Sequence, residues 1–304
     1  MKNLKTKIRN RDEIKNNLEK KPLLLDGAMG TMLQANGLQS GDCPEEWNIS
    51  QPEIIKSIHK EYINAGADIL LTNTFGANSI KLSNYQRENE AEMINKSAVN
   101  HCKKAVEEFG VTGRKVFIAG SIGPTGGILE PYGNLSVIKT YESYKQQAII
   151  LEKAGIELII LETFYDLEEI KTALRAVREN TDLMVFASMT FDKNLKTVYG
   201  ITPENAVVTL EDQGADGVGA NCGTGPETLL EVMKIMKSVC KKYLLVEPNA
   251  GLPEMVNGKI NYPATPEHMA LYAGKFADLG INLIGGCCGT TPLHIKSMFD
   301  KISH

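Results

Sequence analysis

Short, nearly continuous runs of apolar residues recur along the chain, and segments with helical spacing separate them. The runs are Leu23–Gly27, Asp68–Thr74, Lys115–Gly123, Glu157–Phe164, Leu183–Phe191, Asp216–Cys222, Tyr243–Asn249 and Asn282–Cys287. Unbroken apolar runs are typical of strands buried on both faces, as in a parallel sheet covered by helices. Eight such strands alternating with helices favour an α/β fold of the (β/α)8 TIM barrel type, with a doubly wound sheet as the second choice.

A short repeat supports a modular barrel. A glycine follows a helical stretch and stands just before predicted strands two, four, six and eight. These glycines are Gly66, Gly155, Gly214 and Gly280. Glycine suits the left-handed backbone position that ends many helices, so we expect each of the four to terminate a helix.

Composition narrows the class of protein. The 304 residues are 42% hydrophobic and 23% charged, with a formal net charge of -4. This balance gives no general attraction to nucleic acid or to an anionic membrane. We expect one domain over residues 1–304, with residues 1–21 as an N-terminal surface helix. The sequence has no apolar run long enough for a membrane span and no signal-peptide core, which predicts a cytoplasmic protein.

Three cysteines stand where predicted strands run out into glycine-rich turns: Cys222, and the adjacent pair Cys287 and Cys288. Functional residues of a (β/α)8 barrel gather at the carboxyl ends of its strands. Three thiolates there predict a tetrahedral zinc (Zn²⁺) site with one open position, which is the catalytic type. The neighbouring cysteines can share a metal only if the chain turns between them, because consecutive strand residues point to opposite faces.

The chemistry expected of such a centre is attack by a substrate sulfur. Zinc bound by three thiolates carries a net negative charge and activates water poorly, but it lowers the pKa of an incoming thiol. Two small buried hydrophobic residues are the alternative interpretation of a cysteine pair. The remaining cysteines, Cys43, Cys102 and Cys240, lack partners in the pattern and receive no function.

Polar residues at other strand ends predict a pocket for a charged small molecule beside the metal. Asp26 and Glu162 would suit a substrate ammonium group, although local capping is an alternative for both. The backbone near Gly27 and the hydroxyl of Thr72 would suit a carboxylate. Thr72, Asn73 and Thr74 are equally compatible with ordinary strand and turn chemistry. Asn249 is either an Asx-turn residue or a weak oxygen ligand that leaves when a thiol arrives.

These residues resemble the homocysteine S-methyltransferase family, and most closely the homocysteine-binding domain of cobalamin-dependent methionine synthases. The resemblance spans nearly the whole chain in order. The motifs that carry it are LLLDGAMGTML (23–33), ADILLTNTFGAN (67–78), SIGPTG (121–126), ELIILETFYD (157–166), GANCGTGPE (219–227), VEPNAGLP (246–253) and GGCCGTTPLHI (285–295).

The resemblance implies a role for each candidate residue. Cys222, Cys287 and Cys288 would be the zinc ligands, and Asn249 the displaceable ligand. Asp26 and Glu162 would hold the amino group of homocysteine, Gly27 and Thr72 would lie near its carboxylate, and Asn73 and Thr74 would line the pocket. The betaine-using branch carries a tyrosine directly after the Glu162 position. Thr163 stands there in this chain, which counts against betaine as the donor.

The resemblance further implies transfer of a methyl group to the homocysteine thiolate, forming methionine. The chain has no D-x-H-x-x-G corrinoid signature. We therefore expect methylcobalamin on a separate corrinoid protein or domain as the donor, with S-methylmethionine or S-adenosylmethionine as alternatives. The pattern is also compatible with a different thiol acceptor, with a non-catalytic barrel that holds a structural zinc, and with a phosphate-binding barrel. The phosphate-binding barrel is disfavoured because cysteines occupy the loop after strand eight, where such enzymes bind phosphate.

Overall fold

A closed barrel of eight parallel strands forms the centre of the computed structural model, which describes residues 11–110, 114–256 and 259–303. The strand order is β1-β10-β7-β6-β5-β4-β3-β2, and a parallel bridge between Leu25 and Ile69 joins the first strand to the second. The predicted (β/α)8 barrel is confirmed, and each of the eight predicted runs contains one barrel strand. The barrel strands are β1 (Leu23–Leu24), β2 (Ile69–Leu71), β3 (Phe117–Ile122), β4 (Leu158–Phe164), β5 (Met184–Met189), β6 (Gly217–Asn221), β7 (Tyr243–Glu247) and β10 (Leu283–Ile284).

Helices follow the strands and cover the outside of the barrel. They are α1 (11–18), α2 (Met29–Ala35), α3 (Trp47–Ser50), α4 (Pro52–Ala65), α5 (Ser79–Ser83), α6 (Ala91–Phe109), α7 (Val137–Ala154), α8 (Leu167–Asn180), α9 (Pro203–Asp212), α10 (Pro226–Val239), α11 (Pro266–Asp278) and α12 (Pro292–Ile302). An antiparallel pair that the apolar pattern did not predict, β8 (Glu254–Val256) and β9 (Lys259–Asn261), lies between β7 and α11. In the parts of the chain that the structure describes, no helix has both the length and the apolar character needed to cross a bilayer.

The four repeated glycines end helices as predicted. Each has a left-handed backbone, with φ of 112°, 94°, 91° and 78° at Gly66, Gly155, Gly214 and Gly280. At Gly66 a side chain would also collide with its neighbours, because an added Cβ would lie 2.3 Å from Cγ of Phe299. Close packing of α4 against α12 therefore adds a second reason for glycine at this position.

Alternation along the strands sorts the apolar residues into two layers. Outward residues such as Leu244 and Val246 pack against helices, whereas inward residues such as Leu245 fill the barrel. Ile14 and Leu18 of α1 belong to the inner cluster and are buried. Helix α1 therefore closes the amino-terminal end of the barrel. Residues 1–10 of the predicted N-terminal helix lie outside the described residues.

The inner layer becomes polar at the carboxyl end of the strands. Continuing the alternation of each strand brings Ser121, Glu162, Ser188, Asn221 and Glu247 to the inside, where apolar residues would otherwise continue. These positions come from five consecutive strands of the barrel. The apolar interior thus ends in a ring of hydroxyl, amide and carboxyl groups just below the barrel mouth.

Candidate metal and substrate site

Three thiols converge at the carboxyl end of the barrel. The Sγ atoms of Cys222, Cys287 and Cys288 all lie within 4.8 Å of one another, and each residue is half-buried. The Sγ atoms of Cys287 and Cys288 are 4.0 Å apart. Sulfurs that share one tetrahedral zinc at ordinary bond lengths stand roughly 3.8 Å apart, so the donor set fits that ion.

The backbone on both sides of the cluster leaves regular strand geometry to bring the sulfurs together. Cys222 directly follows β6 and has a left-handed backbone with φ of 59°, which is uncommon for a residue other than glycine. A turn closes after the cysteine pair, where the Thr290 N–H donates to the Cys287 carbonyl at 3.1 Å and Gly289 has φ of 83°. This turn is the one that the adjacent pair required.

Hydrogen bonds within the cluster favour one thiolate. The thiols of Cys222 and Cys287, with a further contribution from the Tyr262 hydroxyl, lower the pKa of Cys288 to about 3 against the opposing effect of burial. The Tyr262 side chain packs closely against the cysteine turn, and a Cβ added at Gly289 would lie only 2.2 Å from its Cγ. The sequence pattern did not single out Tyr262. Tyr262 follows β9 in the long segment between β7 and α11. The length of this segment was the one feature of the sequence that could have drawn attention to it.

Asn249 lies between the two cysteine-bearing loops. Its N–H donates to the Thr224 carbonyl at 3.2 Å, and the next N–H, of Ala250, donates to the Cys288 carbonyl at 2.9 Å. The Asn249 side chain is buried, and its Oδ1 has no hydrogen-bond partner among the described residues. A buried amide oxygen without a donor is costly unless another group satisfies it. A metal held by the adjacent thiols would do so, and the observation fits the predicted weak ligand.

Three carboxyl groups lie near one another on the inner side of the cysteines. Burial raises the pKa of Asp26 well above its usual range. The Leu71 N–H, which donates to Oδ2 of Asp26 at 3.0 Å, has a smaller, lowering effect on this pKa. Burial also raises the pKa of Glu162 to about 7, although the Ser121 hydroxyl donates to its Oε1 at 2.5 Å. The pKa of Glu247 is raised by burial and by the negative charges of Glu162 and Asp26. A cation bound among these acids would lower their pKa values again and favour the ionised forms, so the group suits a positively charged ligand.

A bulge in β4 aims Glu162. The pairing of β4 with β5 shifts register between Leu161 and Phe164, and Thr163 has a left-handed backbone with φ of 64°. Asn221 holds this conformation. Its Oδ1 accepts the Thr163 N–H at 2.8 Å, and its Nδ2 donates to the Thr163 hydroxyl at 2.7 Å. Because Asn221 also precedes Cys222, one buried amide positions the bulge and adjoins a thiol.

The threonines after β2 bond mainly to the protein. Thr74 is fully buried and donates to the Ser121 carbonyl at 2.7 Å, so the 2.6 Å contact between the hydroxyls of Thr72 and Thr74 uses the Thr72 proton. The Asn73 amide donates to the Pro44 carbonyl at 2.9 Å and thereby anchors the loop after β1. Their predicted contacts with substrate remain predictions.

Gly27 lies in a crowded position below the mouth. A Cβ added there would lie 2.8 Å from Oγ1 of Thr290 and 3.0 Å from the hydroxyl of Tyr62. The Thr290 hydroxyl also accepts the N–H of Ala28 at 3.1 Å. The segment after β1 therefore packs directly against the turn that carries the cysteine pair. The backbone of Gly27 is thereby brought close to the turn of Cys287 and Cys288, while its predicted contact with a carboxylate remains a prediction.

The comparisons with known proteins agree with this geometry. The chain is 33% identical over 299 residues to methionine synthase of Mycobacterium tuberculosis, covering 94% of this chain and 25% of that protein. It is 31% identical over 293 residues to methionine synthase of Mycobacterium leprae, covering 92% of this chain and 24% of that protein. The chain thus spans about a quarter of the length of these curated relatives.

A solved structure matches over most of both chains. The homocysteine methyltransferase MmuM of Escherichia coli, in its metallated form, superimposes with a TM-score of 0.78 at 25% identity, covering 93% of this chain and 98% of that one. The family model described as homocysteine S-methyltransferase matches residues 23–302. The chain belongs to the homocysteine S-methyltransferase family.

Proposed function

We propose that this chain catalyses methyl transfer to the thiol of homocysteine, with zinc held by Cys222, Cys287 and Cys288. The observation that carries the proposal is the convergence of three sulfurs beside buried carboxyl groups, with an unsatisfied amide oxygen at Asn249. Among the described residues the cysteines form a group of three without a fourth cysteine, histidine or carboxylate, which favours an open site over a structural zinc. MmuM of Escherichia coli, one of the structural neighbours, is a homocysteine methyltransferase described in a metallated form, which supports the same assignment.

The side chains of this site divide the work of binding. Asp26 and Glu162 bind the ammonium group of homocysteine, and the segment at Gly27 binds its carboxylate. The Thr72 hydroxyl joins in binding the carboxylate by turning its proton from Thr74 to the substrate. Zinc, when bound, lowers the pKa of a thiol that reaches it. Homocysteine releases its thiol proton to solvent as it binds, and its sulfur attacks the methyl carbon. The new sulfur–carbon bond forms as the bond from methyl to donor breaks, and the electrons of that bond stay with the donor. The protein contributes orientation and exclusion of water.

The donor is a methylcorrinoid carried by another protein or by a further domain. Large apolar side chains are exposed on the loops that follow the barrel strands. They are Ile128, Tyr132, Tyr165, Val198, Tyr199, Leu252, Met255 and Ile260. All eight belong to segments at the carboxyl end of the barrel, which also carries the three cysteines, and we call them the apolar rim. Exposed apolar residues gathered around one site are typical of a protein-binding surface. A chain that spans a quarter of its methionine synthase relatives leaves room for such a partner domain.

Zinc X-ray absorption with and without homocysteine tests the site. Purified protein should contain about one zinc per chain, and homocysteine should raise the number of sulfur neighbours from three to four. An unchanged sulfur count would contradict the proposal. A parallel assay with methylcobalamin, S-methylmethionine and S-adenosylmethionine identifies the donor. Turnover with either sulfonium compound, and none with methylcobalamin, would refute the corrinoid assignment.

A further inference from the structure

Glu247 occupies the inner face of the barrel at the end of β7. Inward residues alternate along this strand, and Leu245, two residues earlier, belongs to the cluster that fills the barrel. Glu247 is 3% exposed, and its partner in the ladder is Asn221 at the end of β6. Its carboxyl group therefore lies in the polar ring below the thiols.

A glycine brings Glu247 close to the end of the first strand. Gly285 directly follows β10, and β10 lies between β7 and β1 in the barrel. A Cβ added at Gly285 would lie 3.2 Å from Cγ of Glu247 and 3.3 Å from the carbonyl oxygen of Asp26. Because this position has no side chain, the Glu247 side chain lies close to the backbone of Asp26, and the charge of Asp26 raises the pKa of Glu247.

Each of the other two carboxyl groups already accepts a hydrogen bond from the protein. Asp26 accepts the Leu71 N–H, and Glu162 accepts the Ser121 hydroxyl. Oε2 of Glu247, in contrast, is buried without a hydrogen-bond partner among the described residues. A buried carboxyl oxygen without a hydrogen-bond partner destabilises the fold unless a ligand supplies the partner.

We propose that Glu247 is a third carboxylate that binds the substrate ammonium group, together with Asp26 and Glu162. A primary ammonium has three N–H donors, so each of the three carboxyl groups can accept one. The inference rests on the proposed function and adds a specificity residue to it. The site thereby selects thiols that carry an unsubstituted primary amine.

Calorimetric titration of the zinc-loaded full chain with two ligands tests this role. One ligand is L-homocysteine, and the other is 4-sulfanylbutanoate, which keeps the thiol and the carboxylate but lacks the amine. Glu247→Gln should weaken homocysteine binding by about tenfold to a hundredfold, as expected for a lost charged hydrogen bond. It should change the Kd of 4-sulfanylbutanoate by less than about twofold, because that ligand makes no such bond.

Glu169→Gln is the matched control. Glu169 is also a buried carboxylate near the barrel mouth, and one of its oxygens accepts the N–H and hydroxyl of Thr125 and the hydroxyl of Tyr144. A glutamine oxygen can keep these bonds, so both ligands should respond to this change by the same factor. An equal loss of both ligands in Glu247→Gln, or no loss of homocysteine, would overturn the role of Glu247 alone. Wild-type protein that does not bind homocysteine would overturn the proposed function and this inference with it.

Discussion

Asn221→Ala should both destabilise the barrel and disturb the substrate site. Asn221 is fully buried, and its side chain makes three hydrogen bonds, two to Thr163 and one from the Ser188 hydroxyl. At a net value of about 1 kcal/mol for each bond, alanine removes roughly 3 kcal/mol from the free energy of unfolding. Relaxation of the left-handed Thr163 backbone returns about 1 kcal/mol of strain, which leaves a net loss of roughly 2 kcal/mol.

Urea denaturation of the variant measures this loss as a lower midpoint at an unchanged m-value. Homocysteine affinity should fall together with stability, because Glu162 precedes the released Thr163 backbone. The double variant Asn221→Ala with Thr163→Gly separates the two effects. Glycine adopts a left-handed backbone without strain, so the second change should recover part of the homocysteine affinity.

Two results would refute this reasoning. One is Asn221→Ala protein with wild-type homocysteine affinity, since the bulge would then need no support from the amide. The other is a double variant that binds homocysteine no better than Asn221→Ala, since the lost affinity would then not arise from the Thr163 backbone.

Three further changes have defined outcomes. Cys222→Ser should reduce bound zinc, measured by plasma mass spectrometry, to well below one per chain, and full retention would contradict the three-cysteine site. Gly66→Ala should lower Tm more than Gly37→Ala does. Both glycines have positive φ, but an added Cβ meets Phe299 only at the first, so equal shifts would contradict the packing explanation. Glu162 should make the metal-free protein less stable as pH rises from about 4.5 to about 7, because only the folded state holds its proton in that window. Glu162→Gln should flatten this decline in the free energy of unfolding, measured by denaturation at pH 5 and pH 7.5, and an unchanged slope would argue against the raised pKa.

The barrel and the convergence of the three cysteines could be predicted because their signals are local. Strands buried on both faces give unbroken apolar runs. A cysteine beside glycine at the end of such a run can be recognised directly in the sequence. Glu247 stood in the same pattern but gained a role only from the structure. Its importance depends on an unpartnered oxygen and on the gap at Gly285, and neither is visible along the chain.

Other features depend on contacts between distant segments. The left-handed backbone of Thr163 is stabilised by an amide 58 residues later, and no rule of spacing predicts such a pair. Tyr262 reaches the cysteine turn from an excursion between β7 and α11 whose strands have too few apolar residues to be recognised. Side-chain packing across the barrel mouth, and not periodicity, decides these positions.

The closure of the barrel by helix α1 has a kinetic consequence for the proposed reaction. Ile14 and Leu18 block the amino-terminal end of the barrel. Homocysteine and the methyl donor must therefore both reach the site from the carboxyl end. The carboxyl groups proposed to bind homocysteine are buried or half-buried, whereas the apolar rim proposed to receive the donor's carrier is exposed. Homocysteine must then enter first, and methionine can depart only after the carrier has withdrawn. Steady-state kinetics should therefore show compulsory order, with the amino acid as leading substrate and final product.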